Sequence, residues 1–422
     1  MALPLLGLLV VLLLVHGTSA GTIELDQGGA LHLNTSDPET QPVLLNGVDA
    51  VQSTQRLSQL IADHAHAISQ QQSQLHALQE QNGARAQRIA QIQQRVCALT
   101  SPSLDTISGG WGGATLWTSG VQAPNGLIYG VPFSSTSVLI IDPQENTVDT
   151  TTIAGLPTAL NKWIDGVLAP GNNIIYCIPH SADSVLKIDP ATNTADWTTI
   201  TGVGSDSAKF SGGVLGNNGL IYGVPLHATF VLIIDPATDT IDTTTLSGLS
   251  NQEAKWWDGV VVPDGRIFCI PYSAIHVLII DPDTNTLDTT SIAALPADKF
   301  KWASGVLANN GLIYGLPGAL DVVLIIDPET MTADTTTLGD LSMELYSWRG
   351  GVLAHDGKIY GIPFNAGAVL IIDPETNTAD ATTLTDAGSA TSKCFGGVLA
   401  SNGKIFGMPY NTDDVLVIDP GC

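Results

Sequence analysis

Five lysines, Lys162, Lys209, Lys255, Lys301 and Lys393, stand at matching places in a repeating chain, and Trp163, Phe210, Trp256 and Trp302 directly follow four of them. Trp117 and Trp348 belong to the same aromatic column without the lysine. Ammonium groups beside flat rings, in a chain with 40 acidic and 15 basic residues, could form a ligand-binding rim for anionic or carbohydrate groups. The competing use is packing, in which the indoles wedge between repeats and the lysine stems lie over them with their ammonium groups in water. A second column is Pro132, Pro179, Pro225, Pro271, Pro317, Pro363 and Pro409; Phe133, His180, Tyr272, Phe364 and Tyr410 follow five of these. Those rings could floor a sugar site, or cover the end of a strand that the proline terminates.

Residues that break the repeat bear more directly on catalysis, which needs an asymmetric constellation. His180, His227 and His276 occur in consecutive copies and could bind zinc or serve in acid–base work. Their offsets from the preceding proline differ, which argues against convergence. Asp165 and Asp258 occur in only two copies and could be metal ligands, but no companion Glu or Asn set accompanies them. The Asp-Pro-x-Thr-Asn-Thr stretches lack the spacing of a calcium loop and read as turns: Asp caps, Pro presets φ and Asn tolerates a left-handed backbone. Cys177 and Cys269 share one column and Cys394 replaces the column tryptophan, so all three are expected to be buried thiols.

These columns must be positioned by the repeat itself. Asp142, Asp189, Asp235, Asp281, Asp327, Asp373 and Asp419 each precede a proline, at a first step of 47 and then five steps of 46. Each copy reads as four short strands: Gly-Val-Leu, a turn at Asn-Gly, Ile-Tyr, Val-Leu-Ile-Ile, and a Thr-rich strand after a tight turn. That pattern predicts an all-β, seven-bladed β-propeller of four-stranded blades over 104–422. The last copy stops at Asp419-Pro420-Gly421-Cys422, before its outer strand, and Leu104-Asp105-Thr106-Ile107 matches the outer strand of an internal copy. Pairing of 104–107 with 415–418 would close the ring and leave no open edge. Closure brings Cys422 near Cys97, so an intramolecular disulfide is one expectation; an intermolecular bond at Cys97 is the other.

Ahead of the repeats the chain changes character. Leu3 to Val15 is an apolar run followed by Thr18-Ser19-Ala20, which reads as a signal peptide over 1–20 and a secreted protein. Residues 21–53 read as a linker, with short strands or without order, and Asn34-Thr35-Ser36 is a candidate glycosylation sequon. From 54 to 99 the chain is rich in Gln and Ala and free of Pro, and Ile61, Ile68, Leu75, Asn82, Ile89 and Val96 recur every seven residues. With Leu57, Leu78, Ile92 and Leu99 on a second column, this predicts an α-helical coiled coil and self-association. His64, Gln71 and Arg85 weaken that column, and a single helix lying on the propeller is the alternative. A formal charge of −25 argues against nucleic acid and anionic membranes as partners, and no later segment is suited to span a membrane.

Segments such as Val231-Leu232-Ile233-Ile234-Asp235-Pro236-Ala237-Thr238-Asp239-Thr240 and Ile371-Ile372-Asp373-Pro374-Glu375-Thr376-Asn377-Thr378 resemble the core of YVTN-type β-propeller repeats. The likeness covers all seven copies and departs in the second strand, where Ile-Tyr-Gly-x-Pro replaces Tyr-Val-Thr-Asn. It implies a propeller and an extracytoplasmic setting, with no catalytic residue to carry over. The expectation is a non-enzymatic extracellular binding or scaffold protein without a cofactor, whose ligand is a glycan or a protein. The alternative is a metal-dependent hydrolase or lyase of the gluconolactonase or streptogramin-lyase kind.

Overall fold

The computed structural model describes residues 22–25, 31–34, 44–45, 48–97, 101–341 and 346–421; within the long helix it describes side chains at 54–79, 81–83, 85 and 88. The expected signal peptide, Cys422, and the side chains of Asn34, of Cys97 and of the heptad seam from Ile89 onward lie outside what is described. Two compact units divide the chain, with the boundary between Ile89 and Ala90. In the first, Thr22–Leu25 pairs with Leu31–Asn34 and Leu44–Leu45 with Val48–Asp49, and the helix Ala50–Cys97 begins there and extends past the boundary. The described part of that helix is exposed throughout, its apolar column included.

The second unit is a seven-bladed β-propeller of four-stranded antiparallel blades. Blade 1 consists of Trp117–Gln122, Ile128–Pro132, Leu139–Asp142 and Thr147–Asp149, in that order from the axis outward, and the following blades repeat it. Blade 7 takes its fourth strand from the start of the domain: Ser103–Ser108 pairs antiparallel with Asp414–Asp419, placing Ile107 opposite Val415 and Leu104 opposite Ile418. A second tie follows, since the Trp111 indole N–H donates to the Thr412 carbonyl at 3.1 Å and its ring meets Trp117 edge-on.

Local chemistry accounts for the blade. Gly126 sits at φ 86° in the first hairpin, where a Cβ would be strained. In the outer turn, Asp142 accepts the Gln144 N–H at 2.9 Å and Asn146 adopts φ 53°. The strands between are apolar on both faces because each blade is covered by its neighbours. Contact between blades depends on the glycine of the inner strand: a Cβ on Gly213 would lie 2.5 Å from Ile178 of the preceding blade. Only a bare backbone lets the aliphatic side chains of one blade reach the next.

In five blades the column tryptophan packs against the preceding blade and hydrogen-bonds within its own. Trp117, Trp163, Trp256, Trp302 and Trp348 are at most 2 % exposed. Each indole N–H donates to a backbone carbonyl ahead of its own blade's third strand, at 2.8–3.0 Å, as from Trp163 to Ser184 and from Trp256 to His276.

Candidate functional site

The inner strands carry the site. In every blade the pairing of the first two strands slips between the column residue, an aromatic in six blades and Cys394 in the seventh, and the glycine three residues on, a β-bulge. A bulge takes backbone groups out of the ladder and re-aims side chains. Here it presents two residues per blade toward the axis, Thr118-Ser119, Ile164-Asp165, Ser211-Gly212, Trp257-Asp258, Ala303-Ser304, Arg349-Gly350 and Phe395-Gly396, and the first of each pair is different in all seven copies. Twelve of these fourteen, all but Gly212 and Arg349, line one axial cavity of about 150 Å³ together with Gly351 and Gly397.

Backbone groups freed by the bulges are recovered across blades. Asp165 accepts from the Ser119 hydroxyl at 2.6 Å, from its neighbour Gly166 at 2.8 Å and from the Gly213 N–H at 2.9 Å, so one carboxylate joins blades 1, 2 and 3. Asp258 does the same between blades 4 and 5, accepting from Gly259 at 2.8 Å and from Ser304 and Gly305 at 3.1 Å. The Ser304 hydroxyl in turn accepts the Gly351 N–H of blade 6 at 3.0 Å. Thr118 and Ser211 donate to the carbonyls of Ile164 and Trp256 in the next blades, at 2.7 and 2.8 Å. Where blades 6, 7 and 1 meet, glycine replaces the staple: a Cβ on Gly350 would lie 2.8 Å from Gly396, and one on Gly396 would lie 2.7 Å from the Thr118 carbonyl.

Both aspartates face the cavity on one side and protein on the others. Burial pushes the Asp165 carboxyl above the usual carboxylate range. Burial, reinforced by the charge of Asp165, raises Asp258 to about 6. Their oxygens are engaged by N–H and O–H donors, and among the described residues no group of three His, Cys, Asp or Glu side chains is placed to hold a metal ion.

The five lysines are placed differently from the expected rim. Each is at most 5 % exposed, and its ammonium group donates to backbone carbonyls instead of reaching water. Lys162 reaches Ser135 at 2.9 Å and Ala159 at 3.0 Å; Lys209 reaches Ala182 and Asp206, both at 2.8 Å. Lys255, Lys301 and Lys393 repeat the arrangement on Leu226 and Gln252, Ala274 and Asp298, and Ala366 and Ala390. Three of the ammonium groups also lie 5.6–5.8 Å from the following indole, of Trp163, Trp256 or Trp302. The packing expectation holds for the indoles, which lie between neighbouring blades, Trp163 for example among Tyr129, Val131 and Ile140 of blade 1, and for the lysines over them. It is corrected for the ammonium groups, which meet carbonyls instead of water. The loops between blades offer carbonyls with no strand partner, and a lysine stem has the length to bring a cation to them. Burial lowers Lys162, Lys255 and Lys301 to about 8.

The three histidines do not converge as a metal site. The His180 ring is buried, its Nδ1 lies 2.8 Å from the Phe210 carbonyl, and burial lowers its pKa to about 4. His227 is half-buried near it, whereas His276 packs on Trp256. Cys177, Cys269 and Cys394 are free, buried thiols.

The aromatic column after the prolines does come together. Phe133 meets His180 and Tyr410, Tyr410 meets Phe364 and Phe395, and Trp257 joins Phe395 to Tyr272, with centroid separations of 4.5–6.1 Å. The result is an aromatic collar across one mouth of the axis. Sequence reasoning missed its centre, Arg349, whose guanidinium carbon lies 4.7 Å from Trp257, 4.7 Å from Phe364, 4.9 Å from Phe395 and 5.2 Å from Tyr346. The available signal was variability: Arg349 is the one charged residue at a position otherwise occupied by Thr, Ile, Ser, Trp, Ala and Phe.

No family model matches this chain, and no curated protein matches it. Solved structures do. The chain is similar to virginiamycin B lyase from Staphylococcus aureus with quinupristin, at 9 % identity and a TM-score of 0.61, over 76 % of this chain and 99 % of that one. It is also similar to a streptogramin B lyase, at 14 % identity and a TM-score of 0.55, over 75 % and 97 % of the two chains. A third similarity is to the extracellular domain of the hybrid two-component system BT4673 from B. thetaiotaomicron, at 12 % identity and a TM-score of 0.56, over 75 % of this chain and 42 % of that one. At such identities the likeness establishes the β-propeller fold alone. A YVTN lineage is not distinguished by it. Among the described residues no helix is long and apolar enough to cross a membrane.

Proposed function

We propose that this chain is a secreted, non-enzymatic binding or scaffold protein that presents the aromatic mouth of its propeller from a self-associating helix. The observation that carries the reading is how the mouth is built. Its carboxylates and the lysine ammonium groups are spent on holding blades together, while Trp257, Tyr346 and Tyr410, backed by the buried rings of Tyr272, Phe364 and Phe395, keep part of their faces accessible for stacking on a ligand. Leu57, Ile61, Ile68, Leu75 and Leu78 on the helix are 54–62 % exposed, and a second copy of the same seam would cover them. Parallel association would make a weak site multivalent and raise avidity without new contacts.

The test pairs sedimentation velocity with a glycan array, using the full chain and an Ile61→Asp/Ile68→Asp/Leu75→Asp variant. The wild type is expected to sediment as an oligomer and to be retained by at least one glycan class; the variant is expected to be monomeric and weakly retained. A monomeric wild type would remove the stalk from the reading, and an array blank would remove carbohydrate as the ligand class. The hydrolase or lyase alternative requires a bound metal, so stoichiometric zinc or calcium that is lost in Asp165→Asn would favour it instead.

A further inference from the structure

We propose that the axial mouth is a carboxylate-binding site, in which Arg349 takes the anion and the surrounding rings take the flat body that carries it. The proposal deepens the binding reading above and rests on it. Its starting point is a cation with incomplete partners. A guanidinium has five N–H donors. For Arg349, Nη2 donates to the Tyr272 hydroxyl at 3.2 Å, whereas Nε is shut off from water and has no acceptor among the described residues. Ion pairs among the described residues involve Lys187, Arg266 and Lys404, not Arg349. The axial aspartates that might have neutralised it are turned into the inter-blade staples instead.

Ring faces compensate a guanidinium only in part, because they attract its charge but do not accept its in-plane hydrogen bonds. Those edges match a carboxylate, which accepts two parallel N–H bonds from an arginine fork. Arg349, Trp257, Tyr346 and Tyr410 are half-buried and are the groups a ligand would meet, whereas Phe133, Tyr272, Phe364 and Phe395 are buried behind them.

A second, independent observation concerns the field at this mouth. The buried lysines lie directly behind the collar: the Lys162, Lys255 and Lys393 carbonyls accept the N–H groups of His180, Tyr272 and Tyr410 at 2.8 Å each. The Lys162 and Lys255 ammonium groups donate to neutral carbonyls, which puts two cations behind this part of the collar. The overall charge of −25 opposes anions at long range, but salt screens it beyond roughly 8 Å under physiological conditions. At the mouth the near charges decide.

The chemistry recognised is a carboxylate on a ring with an apolar face, which either a hexuronic acid or an aryl acid supplies. Isothermal titration of the full chain with sodium glucuronate, sodium benzoate and neutral glucose tests it. At least one carboxylate should bind with a Kd below about 10 mM, and glucose should bind more weakly still. The stronger of the two acids identifies the source. Arg349→Lys keeps the charge but loses the fork and should weaken binding about tenfold; Arg349→Met should abolish it. Failure of both acids to bind, or an unchanged affinity in Arg349→Met, overturns the proposal. If Arg349→Met loses its native circular dichroism, Arg349→Lys decides by the same criterion. Glycan retention that survives in Arg349→Met sinks this site while leaving the broader binding reading standing.

Discussion

Aspartate is used in opposite ways at the two edges of a blade. At the outer edge, Asp149 accepts from the Thr151 N–H at 2.6 Å and from the Thr152 hydroxyl, all within one turn, and the Thr152 hydroxyl bond leads in holding its carboxyl down at about 2. Asp242 repeats this with Thr244 and Thr245. At the axis, Asp165 and Asp258 accept from residues 46 to 48 positions away, and burial outweighs their hydrogen bonds and drives both carboxyls up. The outer carboxylate keeps water on one side and stabilises its own turn. The inner one gives up water to connect turns that the chain does not otherwise connect.

The sharpest way to break this comparison is to delete one residue of each kind. Asp165→Ala strands the Ser119 hydroxyl and the Gly213 N–H in the interior, and an expected loss of about 3 kcal/mol or more follows. Asp242→Ala removes a cap that water can replace and should cost about 1 kcal/mol. Urea unfolding of the two variants compares them, and equal losses would mean that the axial staples matter no more than a surface turn.

Removing one of the buried lysines between blades should rank next. Lys301→Met leaves the Ala274 and Asp298 carbonyls without their donor and should cost about 1–2 kcal/mol by the same measurement. A neutral outcome would assign the buried ammonium no part in joining blades.

Acidity separates the two kinds of aspartate by sign. For Asp258 the folded-state pKa, about 6, lies above the unfolded value of 3.8, so its contribution is fully present below pH 3.8 and is lost as pH rises through 6. For Asp149 the folded value, about 2, lies below 3.8, so its contribution is present above that pH and is lost as pH falls toward 2. Melting temperatures measured from pH 4 to 7 should therefore decline toward neutrality more in the wild type than in Asp258→Asn. Asp149→Asn should be less stable than the wild type above about pH 4, and the difference should shrink as pH falls toward 2.

The smallest effect sharpens the outer edge alone. Met331 occupies the left-handed turn position at φ 57°, where the other internal blades carry Asn193, Asp239, Asn285 and Asn377. Met331→Asn should stabilise by up to about 1 kcal/mol, less whatever is lost with its 3.1 Å contact to Arg266. A thermal melt that moves downward would show that the contact outweighs the backbone strain.

The blade count, the four-strand plan and the turn chemistry were legible because each is written within about fifty residues and repeated: Asp-Pro marks every third strand's end, and Asn-Gly or Asp-Gly marks the first hairpin in six of the seven blades. The matching of Leu104-Asp105-Thr106-Ile107 to an outer strand is equally a local pattern, and in the structure this segment lies beside Val415–Ile418. The burial of Lys162 and its counterparts was not legible. Their acceptors are the Ser135, Ala182 and Ala274 carbonyls, each 27 residues away in a loop whose free carbonyls appear only once the blades are side by side.

What the order of residues determined by itself is therefore the blade, since hydrogen bonding along a strand and through a turn depends on near neighbours. What only the closed ring decided is the axis and its mouth. Fourteen residues from seven bulges meet there at a distance no periodicity measures. The roles of Asp165, Asp258 and Arg349 follow from which other blades' donors, acceptors and rings stand opposite them.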